Sequence, residues 1–140
     1  MDILFHFSAI VVLPFWLMMI FFPHLPLTEK MVKSPLIILP PTICYLIFLL
    51  PNFSEAISSF QNPSPTSLAK LMSSTWSASL FWTYAGAFDL FVGRWIFFDA
   101  RKKGINHWLV SPILLVCILF GPLAFSIYAI VRGVKAKTTR

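Results

Sequence analysis

The chain has 140 residues, of which 58% are hydrophobic, 16% aromatic and only 11% charged. An ordinary soluble domain is about 45–50% apolar and about 25% charged, so this composition excludes a water-soluble globule, a disordered tail and a coiled coil. The formal net charge of +6 does not mark nucleic-acid binding, because the basic residues cluster at the ends of apolar runs, where lipid headgroups attract them.

The first apolar run, residues 3–22, has the length of about twenty residues that a helix needs to cross a bilayer core. Asp2 stands where a secretory signal would be basic, and no small-residue cleavage site follows. The run therefore reads as a transmembrane helix ended by Pro23 and Pro26. Pro14 leaves the carbonyl of Ile10 without its helical donor, which predicts a kink. The second run, Leu36 to Leu50, is short and is broken by Pro40-Pro41. Begun near Ser34, with the proline pair as an internal kink, residues 34–50 reach across; a re-entrant segment is the competing reading. Residues 51–66, rich in Ser and Pro and including Asn62, read as loop. Ser64-Pro65 has a capping hydroxyl followed by a first-turn proline. It predicts a short interfacial helix over 65–74, with Lys70 toward water and Leu68, Leu71 and Met72 toward lipid.

The third span is expected over 76–98, closed by Asp99 and Arg101 to Lys103. The fourth is expected over 109–131, broken by Gly121-Pro122 and closed by Arg132. Trp76, Trp95 and Trp108 fall near span ends, where an indole is favoured. The expected fold class is all-α, a single integral membrane domain over 1–140 built as a bundle of four transmembrane helices. Four spans place both chain ends on one side. The Lys/Arg count then ties: Lys70, Arg132, Lys135, Lys137 and Arg140 oppose Lys30, Lys33, Arg101, Lys102 and Lys103. Orientation stays unassigned.

Candidate chemistry concentrates in the third span. Asp89 lies near its middle, where insertion costs about 2.5–3.5 kcal/mol. The side chain must be neutral, paired or facing a polar cavity. Arg94 is only about 6 Å along the axis from Phe98 and can reach the interface. Five residues separate the two, about 140° around the helix, so their partners are expected on neighbouring helices. Ser79, Trp82, Gly86, Asp89, Gly93 and Ile96 follow a 3-4 spacing and share one stripe. A small residue every seven positions lets another helix approach, so this stripe is the expected seam. Asp89 and Arg94 either fix helix register as polar glue or line a site. His6 is expected at the interface and His107 in solvent. Cys44 and Cys117 sit in apolar runs without metal or disulfide spacing. No motif for a metal, a nucleotide or covalent catalysis is present, so no cofactor is expected.

Three segments carry a resemblance. Val12-Leu13-Pro14-Phe15-Trp16-Leu17-Met18 with Pro23, the run Phe88-Asp89-Leu90-Phe91-Val92-Gly93-Arg94-Trp95-Ile96, and Leu119-Phe120-Gly121-Pro122-Leu123 together resemble the abscisic-acid-deficient family of neoxanthin synthesis and its bacterial relatives. The resemblance implies a small multi-spanning protein of xanthophyll metabolism, in which violaxanthin becomes neoxanthin. That reaction opens an epoxide while a neighbouring chain carbon loses a proton, so it needs an acid and a base but no redox cofactor. A cofactor-independent carotenoid isomerase would use Asp89 as proton shuttle and Arg94 as oxyanion stabiliser. Trp82, Gly86, Gly93 and Trp95 would line the ligand or the helix seam. The alternatives are a non-enzymatic carotenoid-binding or scaffolding membrane protein, and a small transporter with Pro-broken helices. Expected partners are the lipid bilayer, a carotenoid, and either a second copy of the chain or a pigment enzyme. The first helix opens without an Arg/Ser-rich leader, which favours a bacterial, cyanobacterial member of a plasma or thylakoid membrane.

Overall fold

Proline punctuates this chain at helix starts, where its missing N–H removes a donor that would have no helical partner. The computed structural model describes residues 2–61 and 63–138, and these form helices with no strand. In order they are α1 (Asp2–Phe21), α2 (Pro26–Lys33), a 3-10 turn (Pro35–Ile38), α3 (Leu39–Leu49), a second 3-10 turn (Leu50–Asn52), α4 (Phe53–Gln61), α5 (Pro65–Met72), α6 (Thr75–Lys102), α7 (His107–Cys117) and α8 (Gly121–Thr138). Pro26, Pro35, Pro40, Pro65 and Pro122 all fall in the first turn of their element. Pro40-Pro41 therefore opens α3 rather than kinking a longer helix. Pro14 and Pro112 are the interior exceptions. Two runs, Asp2–Phe21 and Pro35–Ser59, are long and apolar enough to cross a membrane.

Helix α6, 28 residues long, rises about 42 Å at 1.5 Å per residue, and the other helices are arranged along it. Helix α1 runs parallel to it. Phe5 lies 5.6 Å from the Trp82 ring, Trp16 covers Gly93, and Arg101 donates to the Pro23 carbonyl at 3.3 Å. Helix α3 runs antiparallel: Ile38 and Thr42 share a groove with Phe88 and Phe91, and Tyr45 stands 6.4 Å from Tyr84. The buried core between these helices includes Trp16, Met19, Leu90, Ile96, Phe97, Leu114 and Tyr128.

The segment expected as one fourth span is instead a hairpin. Its first arm starts at the end of α6, where His107 Nε2 lies 2.8 Å from the Ile20 carbonyl. The arm ends where the Cys117 thiol donates to the Asp89 carbonyl, 3.5 Å away. The second arm starts with Gly121 against Asp89 and returns along α6. Tyr128 Oη donates to Asp99 Oδ2 at 2.7 Å, and Arg132 Nε lies 2.8 Å from the same oxygen. Residues 104–109 and 130–135 line one cleft. The break follows from Pro122, whose ring would clash with the Ile118 carbonyl in an unbroken helix; Leu119 and Phe120 lie outside both helices.

The hairpin redistributes the charge. Lys30, Lys33, Arg101, Lys102, Lys103, Arg132 and Lys135 occupy the end of the bundle where α6 finishes, and Lys70 sits at the other. The five-to-five tie therefore disappears, and residues 2 and 138 lie at opposite ends. Arg140 and the Lys137 side chain, both part of that count, lie outside the described residues.

Other expectations change for local reasons. The stretch read as loop contains α4, whose Ser58 and Ser59 hydroxyls donate to the Glu55 carbonyl; Asn62 lies outside the described residues. Helix α5 forms behind the Ser64 capping box with Ser67. Trp76 is not at an exposed rim but packs with Ala56 and Leu71 beneath α4 and α5, whereas Trp108 is 84% exposed. His107 is half-buried rather than fully solvated. It and Ser111 both meet the Ile20 carbonyl, one of the orphan acceptors at a helix C-terminus. The sequence reading missed α2 altogether. Its Glu29 pairs with Lys33 at 2.6 Å and with Arg101 at 3.7 Å. The hydrogen bond and charge of Lys33, then the charge of Arg101, hold this exposed carboxyl below its usual range.

Candidate functional site

Among the described residues the buried acidic group is Asp89, on the buried side of α6 and 7% exposed. A helix start leaves backbone N–H groups without partners. At α8, Pro122 has no N–H to satisfy, and the Asp89 carboxyl lies directly against Gly121. The acid is thus placed at the positive end of a helix dipole, where a carboxylate is favoured. The fit is close, since a Cβ built at Gly121 would overlap Asp89 Oδ1. Glycine is required there by space rather than by backbone conformation.

Beside the carboxylate lies a cavity of about 160 Å³, enclosed by α1, the start of α3, α6 and the hairpin tip. Its walls include Trp16, Pro41, Trp82, Ile118 and Leu119, with Ser8 and Thr83 as further polar groups. Those two hydroxyls already donate to backbone carbonyls, Ser8 to Phe5 at 2.6 Å and Thr83 to Leu80 at 2.9 Å. They offer lone pairs to a ligand but no proton. Gly86 keeps the cavity open, since nothing lies within 4 Å of its Cβ direction. Trp82 is 46% exposed and forms the outer wall. The arrangement suits an apolar molecule with a polar end, and its proton chemistry rests on Asp89.

The structure brings together Trp82, Gly86 and Asp89 from the expected stripe and separates the rest. Gly93 belongs to the α1–α6 seam, where a Cβ would stand 2.5 Å from Trp16 Cη2. Arg94 points away from Asp89. Its Nε and Nη2 donate to the Val32 and Lys33 carbonyls at 2.7 and 2.8 Å, capping the C-terminal end of α2 with a positive charge. The guanidinium also lies over Phe98. Its partners lie on α2, a neighbouring helix, and it does not join Asp89 in one site. Trp95 packs on Phe125 and Tyr128, beneath the Arg132 guanidinium. The Arg132 Nε contact with Asp99 is ionic, without hydrogen-bond geometry. Ser8 and Thr83 were not read as site residues from sequence, Cys117 was read only as a small apolar residue, and Gly121 only as a helix break and part of a motif. The available signal was Gly121-Pro122 interrupting an apolar run. Among the described residues no three His, Cys, Asp or Glu side chains gather as a metal site requires.

Residues 3–128 match the family described as ABA DEFICIENT 4-like. The chain belongs to this family. Asp89, Gly121 and the whole cavity lining fall within the matched residues. Among ABA DEFICIENT 4-like proteins, the chloroplastic Protein ABA DEFICIENT 4 of Arabidopsis thaliana is 26% identical over 129 residues. The match covers 88% of this chain and 57% of that relative, so the chain spans little more than half the relative's length. No solved structure matches.

The contact between Gly121 and Asp89 predicts strong coupling. Gly121→Ala should lower thermal stability in detergent, and the loss should shrink in an Asp89→Ala background. The resulting double-mutant coupling should fall within about 0.5–3 kcal/mol. Additive losses would contradict the contact.

Proposed function

We propose that this chain is a multi-pass membrane protein of xanthophyll metabolism that handles an epoxide-bearing pigment at Asp89. The membrane reading is supported by the outward faces: Leu13, Leu17, Phe21, Ile43, Ile47, Phe88, Phe91, Leu123 and Ile130 are all exposed. Apolar surface on this scale favours lipid or protein over water. Three spans cross in this reading: α1, the run 35–59 and α6. Helix α6 tolerates hydrocarbon because Asp89 turns into the bundle and Arg94 reaches carbonyls at the basic end. The α7–α8 hairpin is re-entrant, which is permitted where its polar backbone is buried in protein.

The observation that carries the pigment reading is the single carboxyl beside a mainly apolar cavity in the middle of this bundle. A volume of about 160 Å³ holds one end of a long pigment and leaves the polyene to run along the exposed aromatic surface. The family membership supports this substrate class. In the proposed reaction the Asp89 carboxyl gives its proton to the epoxide oxygen as the ring C–O bond breaks. Its other oxygen takes a proton from the adjacent chain carbon, whose C–H electron pair becomes the new double bond of the allene. The carboxyl ends as it began, and no electrons are exchanged with a cofactor. A second reading, non-enzymatic carotenoid binding, is favoured by one specific observation: Arg94, the expected oxyanion partner, is occupied by α2.

Reconstitution with a violaxanthin-type epoxide separates the two. Wild type should convert it, and Asp89→Asn should retain the pigment but lose conversion by about 10²-fold or more. Conversion unchanged in Asp89→Asn would remove the proton-handling role. Retention without conversion by wild type would leave binding alone.

The charge segregation also orients the protein in this reading, since Lys and Arg mark the side that is not translocated. Ser64→Cys and Lys103→Cys, placed at opposite ends, should respond differently to a membrane-impermeant thiol reagent. Intact cells should label position 64 and leave position 103 unlabelled until opened; the reverse pattern would contradict the orientation. The native Cys44 and Cys117 are buried.

A further inference from the structure

A cavity larger than the one at Asp89 lies elsewhere among the described residues. It has a volume of about 550 Å³ and lies at the basic end, between the end of α1, the end of α6 and the start of α7. Its deeper walls are apolar, with Ile20, Phe97 and Val110, and its rim is polar, with His24, Arg101 and Asn106. We propose that this cavity is a binding site for an anionic phospholipid, with Arg101 holding the phosphate and the acyl chains leaving over Phe21.

Three observations carry the assignment. First, Arg101 is held in place yet keeps donors to spare. Its Nη1 donates to the Pro23 carbonyl at 3.3 Å, its guanidinium stacks over Phe97 at 5.4 Å, and its Glu29 contact is a long 3.7 Å. A guanidinium has five N–H donors, and a phosphate uses two of them side by side. Second, the charge around the cavity is one-sided. Lys30, Lys33, Lys102 and Lys103 share this end with Arg101, whereas Glu29 and Asp99 are already engaged by Lys33 and Arg132. Such a field selects an anionic headgroup over a zwitterionic one. Third, the apolar walls continue onto outward-facing Phe21, Phe22 and Trp108, which are 60%, 54% and 84% exposed. A free anion would leave that surface uncovered, while a lipid covers it and places an indole at headgroup level. The inference rests on the membrane reading above and is independent of pigment chemistry at Asp89.

The test uses the full chain in detergent, titrated with phosphatidylglycerol, phosphatidylcholine or inorganic phosphate and followed by thermal unfolding and native mass spectrometry. Phosphatidylglycerol should bind and raise the unfolding temperature, while phosphatidylcholine and millimolar phosphate should not. Arg101→Gln should weaken phosphatidylglycerol binding by about tenfold or more, the equivalent of one charge-assisted hydrogen bond. Lys70→Gln, at the opposite end, should leave it unchanged. A photoactivatable phosphatidylglycerol should crosslink wild type within residues 20–24 or 104–111, which decides the matter should Arg101→Gln fail to fold. Equal effects of both lipids, an equal effect of phosphate alone, crosslinks confined to other segments, or a folded Arg101→Gln variant of undiminished affinity would each overturn the site. Pigment retention measured in the same sample reports separately on the Asp89 cavity.

Discussion

The Asp89 carboxyl packs directly against Gly121, at the start of a helix that begins inside an apolar bundle, where the first N–H groups have no intrahelical acceptor. The interaction sets how deep the α7–α8 hairpin reaches along α6. It also sets the register of α8 along α6, because Tyr128 and Arg132 then arrive level with Asp99. The turn between the arms is only Ile118 to Phe120, so a small displacement at Gly121 would be felt along both arms. A buried polar group left without its partner costs about 1–3 kcal/mol. Acid and helix start are therefore packed against each other, and each helps to bury the other.

The opposite sign governs the end where α1, α2 and α6 finish. Helix C-termini expose carbonyl oxygens, and cations or hydroxyls come from elsewhere in the chain to meet them. His107 and Ser111 meet Ile20, Thr28 meets Phe22, Arg101 meets Pro23, and Arg94 meets Val32 and Lys33. The basic residues are thus structural caps as well as surface charges. This dual use explains why Arg94 lies within the sequence run around Asp89 yet takes no part in the Asp89 cavity. Two neighbouring residues on one helix serve two different helix ends, a carboxylate for an N-terminus and a guanidinium for a C-terminus.

Composition and apolar run length were enough to read an all-helical chain and the positions of α1, α3 and α6, because burial and propensity agree there. The Ser64 cap of α5 was legible because its chemistry is local. The hairpin was not. The 109–131 run has the length of a span, and only the fold shows that Gly121-Pro122 reverses the chain rather than kinking it. The same hidden turn made the charge count tie. At the site, Asp89, Trp82 and Gly86 could be grouped from spacing along one helix. Ser8, Pro41 and Gly121 could not, since they come from other helices and are ordinary residues in their own segments. Arg94 was misplaced for a related reason: its partner is α2, an element that the sequence reading did not contain.

The reversal of the chain at Gly121 is the claim on which the charge segregation, the Asp89 contact and the cavity at the basic end all depend. Spin labels at Leu109 and Ile130, both exposed, test it directly by pulsed electron paramagnetic resonance after Cys44 and Cys117 are replaced. A hairpin keeps the two backbones on neighbouring helices, so the labels should lie within about 20 Å, allowing for label arms on axes roughly 8–10 Å apart. A continuous helix through residues 109–131 would separate them by about 31 Å, and a distribution centred there would contradict the account.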